Sequence, residues 1–179
     1  IYNDDELEDD QARFLHVKIL NINIICLYLP NGNPAPGPKF DYKINWMKRL
    51  IKYSREIYNN NEPLILGGDF NVIQNNNDCY DISKWLDDAL YLEDTRKLMK
   101  EIINIGLLDS YRIKYPDSRE YSFWDYQAGA WQKDNGIRID FLLISPEIVD
   151  LLEDVGIDKN PRGLSKPSDH TPVWLTINK

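Results

Sequence analysis

Short apolar runs alternate with polar or proline-rich interruptions along the whole chain, and the spacing inside the runs switches between two periods. Residues 14–20 alternate apolar and polar side chains, the period of a strand with one buried face. Asn21-Ile22-Asn23 predicts a tight turn, and residues 24–29 are apolar almost throughout, as in a buried strand. Residues 30–38, from Pro30 to Pro38, are too rich in proline and glycine for regular structure. From Asp41 to Tyr58, apolar Ile44, Met47, Leu50, Ile51 and Ile57 recur at helical spacing. Asp41 is its expected N-cap, and Asn59-Asn60-Asn61 ends it.

Residues 63–69 predict another strand, and residues 75–81 a polar surface loop. A second helix carries Leu98, Ile102 and Ile105, capped by Asp94 or Thr95 and stopped by Gly106. An aromatic segment, Tyr121 to Tyr126, leads through a glycine-containing loop to a strand over 138–144. Pro146 then opens a short helix, Ser165-Lys166-Pro167 forms a loop, and residues 172–177 make the final strand. No repeat or low-complexity tract interrupts this order. Strands alternating with helices, with some neighbours joined by turns, predict a layered α/β sandwich with mixed sheets.

Composition narrows the class. At 179 residues, 42% hydrophobic and 28% charged, the chain has the length and balance of one globular domain. Its longest apolar run, residues 22–29, is far too short to span a bilayer, so no membrane association is expected. The acidic start, residues 1–10, reads as an exposed loop, neither a signal nor a transit peptide. Cys26 and Cys79 give no disulfide framework and no zinc spacing. Cys26, inside an apolar strand, is expected as a buried free thiol, and a reducing cytoplasm fits both. A net charge of −8 argues against non-specific nucleic-acid binding as the main business of the surface. It leaves room for a basic patch beside an acidic site.

The candidate chemistry lies where apolar strands meet loops. Strand Leu64-Ile65-Leu66 runs into Gly67-Gly68-Asp69-Phe70-Asn71, and Ser168-Asp169-His170-Thr171-Pro172 precedes the last strand. A third such end is Arg138-Ile139-Asp140-Phe141. Carboxylates there are expensive to desolvate unless a cation or reacting group neutralises them. Asp69 suits a hard cation or an attacking water, and the Asn71 amide can donate to an anionic oxygen. The alternative for this pair is a turn in which both serve the local backbone. His170 needs a partner to fix its tautomer, and Asp140 is the candidate; His16, in mid-strand, reads as structural. Tyr28 is either a core-edge phenol or one aimed at a phosphate. Phe123 and Trp124 are core residues or walls for a sugar or base. Lys133, Arg138, Arg162 and Lys166 are solvated charges or phosphate contacts.

Taken in order, these motifs resemble the exonuclease III family of DNA-repair nucleases, within the endonuclease/exonuclease/phosphatase superfamily. The resemblance rests on Leu27-Tyr28-Leu29-Pro30-Asn31-Gly32, Pro63 through Asn71, Tyr121 through Tyr126, Gly136 through Asp140, and Lys166 through Trp174, preceded by Gln11-Ala12-Arg13. It implies a four-layered α/β sandwich of the DNase I-like type. It also implies a Mg²⁺ or Mn²⁺ enzyme that cleaves double-stranded DNA at abasic sites and from 3′ ends, with no obligate protein partner. On that analogy Asp69 activates water, and Asn71 serves the scissile phosphate or the metal shell. His170, held by Asp140, contacts a phosphate oxygen and stabilises developing charge; Asp69, Asn71, Asp169 and His170 are the expected metal residues, and Tyr28 contacts the phosphate or assists the leaving oxygen. Phe123, Ile137 and Ile139 match a pocket for a base-less sugar, with Arg138 among the substrate-binding residues.

The family begins with a strand bearing an Asn and, later, a Glu that ligates metal, and neither has a counterpart here. The resemblance therefore implies one domain over 1–179 that is incomplete at its N-terminus. It implies weakened Mg²⁺ affinity and exposed apolar residues on strands 14–20 and 24–29. Two rivals stand beside it: a superfamily phosphatase or phosphodiesterase acting on another substrate, and an impaired remnant that binds DNA or a partner.

Overall fold

The computed structural model describes residue 9 and residues 11–178, so most of the acidic segment expected as a loop lies outside the described residues. Five strands form the main sheet: β1 (Phe14–Ile19), β2 (Ile22–Tyr28), β3 (Leu64–Asp69), β4 (Leu108–Asp109) and β5 (Asp140–Ile144). Their order is β1-β2-β3-β5-β4. Only the β2–β3 pair is parallel. Parallel neighbours need a crossover, and α1 (Pro38–Asn59) supplies it.

Helices α1 and α2 (Glu93–Ile103) cover one face of this sheet. There Trp46, Met47, Leu50 and Ile51 of α1, and Leu98, Met99 and Ile102 of α2, meet Ile25, Leu27, Leu64, Leu66, Phe141 and Leu143 of the strands. Each aliphatic chain so buried stabilises the fold by roughly 1.5–3 kcal/mol before entropy is counted. On the opposite face Ile65 and Ile144 pack with Ile148 of α4 (Pro146–Val149) and with Leu152, Leu175 and Ile177. The last three belong to a separate antiparallel pair, β6 (Leu152–Ile157) and β7 (Val173–Ile177). The described residues thus stack helices, a mixed sheet and a second sheet, the expected layered α/β sandwich. None of their helices is long and apolar enough to cross a membrane.

Several boundaries differ from the sequence expectation for identifiable reasons. The turn falls at Leu20 and Asn21, both left-handed, so Asn23 is inside β2. Its side chain is buried between His16 and Glu62. Helix α1 starts at Pro38, whose fixed φ suits a first helical position, rather than at an Asp41 cap. Helix α2 has Leu92 at its N-cap; Thr95 instead donates to the Ala89 carbonyl. The 75–81 loop is not wholly a surface loop, because Asp78 and Cys79 are buried. Strand β5 begins at Asp140, two residues later than expected, and β4, β6 and the short helix α3 (Ser110–Lys114) were not foreseen. His16 is structural, bonded to Tyr53 and Asn23.

Cys26 is exposed, not buried. Strand β2 alternates, sending Ile25 and Leu27 to the helices and Ile24, Cys26 and Tyr28 to the other face. Cross-strand pairing puts Leu15 opposite Cys26 and Val17 opposite Ile24 on that face. The β6–β7 pair does not cover this end of the sheet: Leu15 is 62% exposed and Ile19 53%. This is the uncovered apolar surface expected for residues 14–20; of residues 24–29 only Cys26 and Tyr28 are exposed, while Ile25, Leu27 and Leu29 are buried.

Candidate active site

Pairing register builds the site. Tyr28 of β2 lies opposite Asp69 of β3, and Asp69 lies opposite Asp140 of β5. Period-two alternation sends all three side chains to the face away from α1 and α2, in one row across three strand ends. Gly68 makes the row possible. Its φ is +138°, and a Cβ there would lie 2.0 Å from the Leu27 carbonyl oxygen.

Beyond Asp69 the chain turns sharply. Phe70 is buried edge-on against Phe141, and Asn71 adopts a left-handed φ of 48°. That conformation brings the Asn71 backbone N–H to Asp69 Oδ1 at 2.8 Å and its Nδ2 to Asp69 Oδ2 at 2.9 Å. Asn71 Nδ2 also donates to the Leu29 carbonyl, while its Oδ1 accepts from Asn31 Nδ2. The Asn71 amide therefore orients Asp69 in this structure, instead of pointing freely at a ligand. A left-handed Asn is tolerated because its short polar side chain bonds locally.

His170 arrives from the segment before β7. Its loop is pinned by backbone bonds from Trp124 N to Asp169 O and from Thr171 N to Ser122 O. Nδ1 of His170 is 2.9 Å from Asp140 Oδ2, and Nε2 is 3.8 Å from Asp69 Oδ2. Ser122 Oγ donates to the same Asp140 oxygen at 2.6 Å and accepts from the Asp140 N–H. Ionised Asp140 only accepts, so the His170 proton on that side sits on Nδ1. The Phe123 ring packs on the imidazole with centroids 5.0 Å apart.

The electrostatics agree. Burial, then the charge of Asp140, pushes the Asp69 pKa up to about 7. His170, the Asn71 N–H and Lys43 work the other way. For His170, burial alone would lower the pKa, but the Asp140 hydrogen bond and the charges of Asp140, Asp69 and Asp169 raise it above its ordinary value. The pair of neighbouring carboxylates is short of positive charge, which is what a hard divalent cation supplies. Among the described residues no group of three or more His, Cys, Asp or Glu side chains forms a cage for an ion. One or two carboxylates plus water and a substrate phosphate still suit Mg²⁺.

Of the residues expected from sequence, Tyr28, Asp69, Asn71, Asp140 and His170 come together, with Phe123 beside them and Asp169 adding charge next to His170. Arg138 does not: it is 1% exposed and bridges Asp78 and Asp109 inside the protein. Its guanidinium is taken up by these two carboxylates, with Nε on Asp78 and Nη2 on Asp109. Ile137 and Ile139 are likewise buried, packed with Ile73, Cys79 and Leu90 beneath Phe123. Arg162 is buried too, stacked on Tyr126 and Trp131 and donating to the Trp124 carbonyl.

Four contributors escaped the sequence reading as site residues. Ser122 and Asn31 sat inside quoted motifs without a role. Arg13 lies over the Tyr28 ring at 4.6 Å, placing a cation at the end of the row. Lys43 lies under the Asn71 turn, and its signal was a charge on the apolar stripe of α1, four residues before Met47.

The chain belongs to the endonuclease/exonuclease/phosphatase family, whose pattern matches residues 1–170. Nucleases of that family are in general divalent-metal dependent. Its relatives include an exodeoxyribonuclease of Bacillus subtilis, 31% identical over 97% of this chain and 67% of the relative. An AP endonuclease from Archaeoglobus fulgidus superposes with a TM-score of 0.92 at 31% identity, covering 98% of this chain and 68% of that one. A 3′ phosphatase from Neisseria, solved with a product DNA hairpin, gives 0.92 at 32% identity over 96% of this chain and 67% of that one. The sandwich and the resemblance expected from sequence both stand. The chain spans about two thirds of the length of these relatives.

Proposed function

We propose that this chain is a divalent-metal-dependent DNA-repair nuclease, hydrolysing phosphodiesters at abasic sites and from 3′ ends with Mg²⁺ or Mn²⁺. The observation that carries this reading is the cross-strand pairing of Asp69 with Asp140, bridged by His170, on a sandwich shared with DNA-processing relatives. Residues 1–179 are read as one unit, with double-stranded DNA as its partner. A cytoplasmic setting, in which Cys26 and Cys79 stay reduced, belongs to the same reading.

In-line hydrolysis needs an activated water, neutralised phosphate oxygens and help for the leaving oxygen. Asp69, with a pKa near working pH, takes the proton from the attacking water. Asn71 holds that carboxylate in place through two donors. His170, held through Nδ1 by Asp140, whose hydrogen bond and charge favour the protonated ring, donates from Nε2 to a phosphate oxygen as charge develops there. Tyr28, exposed at the end of the row beside Arg13, donates to the phosphate or the departing oxygen. Phe123 walls the space for a sugar without its base. Asp69, with Asp169 near His170, would hold the ion, which supplies positive charge to the phosphate and lowers the pKa of water.

A substrate panel tests this: duplexes carrying an abasic site, a 3′ phosphate or a plain 3′ end, alongside p-nitrophenyl phosphate and a phosphoinositide, each with Mg²⁺ or EDTA. The expected result is Mg²⁺-dependent hydrolysis confined to the DNAs. Faster turnover of the small phosphoesters would favour a superfamily phosphatase. DNA binding with no hydrolysis of any substrate would favour an inert remnant.

A further inference from the structure

Lys43 is wholly buried in α1, on the stripe that carries Met47 and Leu50 into the core. Its Nζ donates to three carbonyl oxygens, of Asn71 at 2.7 Å, Asn31 at 3.0 Å and Ala89 at 3.1 Å. An ammonium has three N–H donors and no acceptor, so three carbonyls from three separate loops fill its valence. We propose that Lys43 is a positioning residue for the site, fixing the Asn31 and Asn71 turns so that both asparagines and Asp69 form one hydrogen-bonded chain. The proposal rests on the nuclease reading of Asp69.

The geometry favours a clamp over filler. The left-handed turn at Asn71 sends its carbonyl to Lys43, while its N–H and side chain go to Asp69. Asn31 repeats the division, giving its carbonyl to Lys43 and its amide to Asn71 Oδ1. Ala89 is the fixed end. Its carbonyl also accepts from Thr95, and its N–H donates to Asn33 Oδ1. The neighbouring Asp88 takes the Asn33 amide. The chain passes so close to the lysine stem that a Cβ on Gly32, at φ +90°, would lie 2.6 Å from Lys43 Cδ. An apolar side chain would fill the same volume but leave buried carbonyls without donors. Burial disfavours the Lys43 charge and the charges of Asp88 and Asp69 favour it, and three carbonyl acceptors around Nζ suit only the protonated form.

The test compares Lys43→Met, which keeps the length and removes the donors, with Ile102→Ala, a core truncation in α2 that removes no hydrogen-bond donor. Steady-state cleavage of an abasic duplex by the full chain is read alongside the side-chain amide NMR resonances of Asn31 and Asn71. Lys43→Met should lower kcat on the order of 10- to 100-fold with little change in KM, and shift both amide pairs. Ile102→Ala should lower Tm but leave kcat and those resonances in place. If Lys43→Met does not fold, Lys43→Gln serves, with smaller changes of the same kind. Unmoved amide resonances, or a kcat no lower than that of the Ile102→Ala control, would overturn the proposal. Should the parent chain cleave no DNA, the nuclease reading fails separately, and the amide resonances alone decide whether Lys43 holds the turns.

Discussion

Asp69 carries a charge that its surroundings make costly, and that cost has a pH dependence. Its pKa in the folded chain is about 7, against an ordinary value of 3.8, with burial first and Asp140 second as causes. A carboxyl raised in the folded state binds its proton more tightly there than when unfolded. Its contribution to stability is therefore complete below pH 4 and is lost as pH rises towards 7. The metal-free protein should show a Tm that declines across this window, and Asp69→Asn should flatten the decline; identical profiles would contradict it. Adding Mg²⁺ at neutral pH should restore Tm in the parent more than in Asp69→Asn. His170 offers a second check, since the Asp140 hydrogen bond and charge hold its pKa up against burial. In Asp140→Asn, NMR titration of the His170 ring should find a lower midpoint, and an unchanged one would deny Asp140 its role.

At the scale of elements, two substitutions separate packing from chemistry. Leu50→Ala opens a hole between α1 and the sheet and should cost about 2–5 kcal/mol in urea unfolding. Arg138→Met strands Asp109 and weakens the hold on Asp78, which keeps Arg112. It should cost about 3–5 kcal/mol, yet leave the salt dependence of DNA binding unchanged, because Arg138 meets no phosphate. A flatter salt slope would return Arg138 to the substrate. Elements with strong periodicity were legible in the sequence: α1, α2, β3 and β7 lie within a few residues of their expected places. Strand β6 was not, because Glu153 and Asp154 face solvent and Val155 alone is fully buried. Asp69, Asp140 and His170 were legible as polar groups at strand ends. Ser122 and Lys43 were not, since each acts on a partner 18 or 28 residues away that only the folded chain brings near. Arg138, expected as a solvated charge or a phosphate contact, is instead buried on Asp78 and Asp109, which lie 60 and 29 residues away and are brought near only by the folded chain.

At the scale of the molecule, the helices seal one face of the main sheet while the second sheet seals only part of the other. Leu15, Val17, Ile19 and Leu20 remain exposed next to Cys26. A protein consisting of these 179 residues alone should self-associate as concentration rises, as measured by light scattering after size exclusion. Leu15→Glu combined with Ile19→Glu should return it to a monomer without loss of helical signal. A parent that stays monomeric at high concentration would show that the open face is harmless. Asp69, Asp140 and Tyr28 sit at the end of that same face, so the chemistry lies where the two sheets part. Under the proposed function, these strand ends converge there into a metal-assisted hydrolytic site. Single-turnover incision of an end-labelled abasic duplex by the full chain, in Mg²⁺, in EDTA and after Asp69→Asn, tests it most directly. EDTA should abolish incision, and Asp69→Asn should slow it by at least about 100-fold. Incision indifferent to both, or none with any divalent ion, would contradict it.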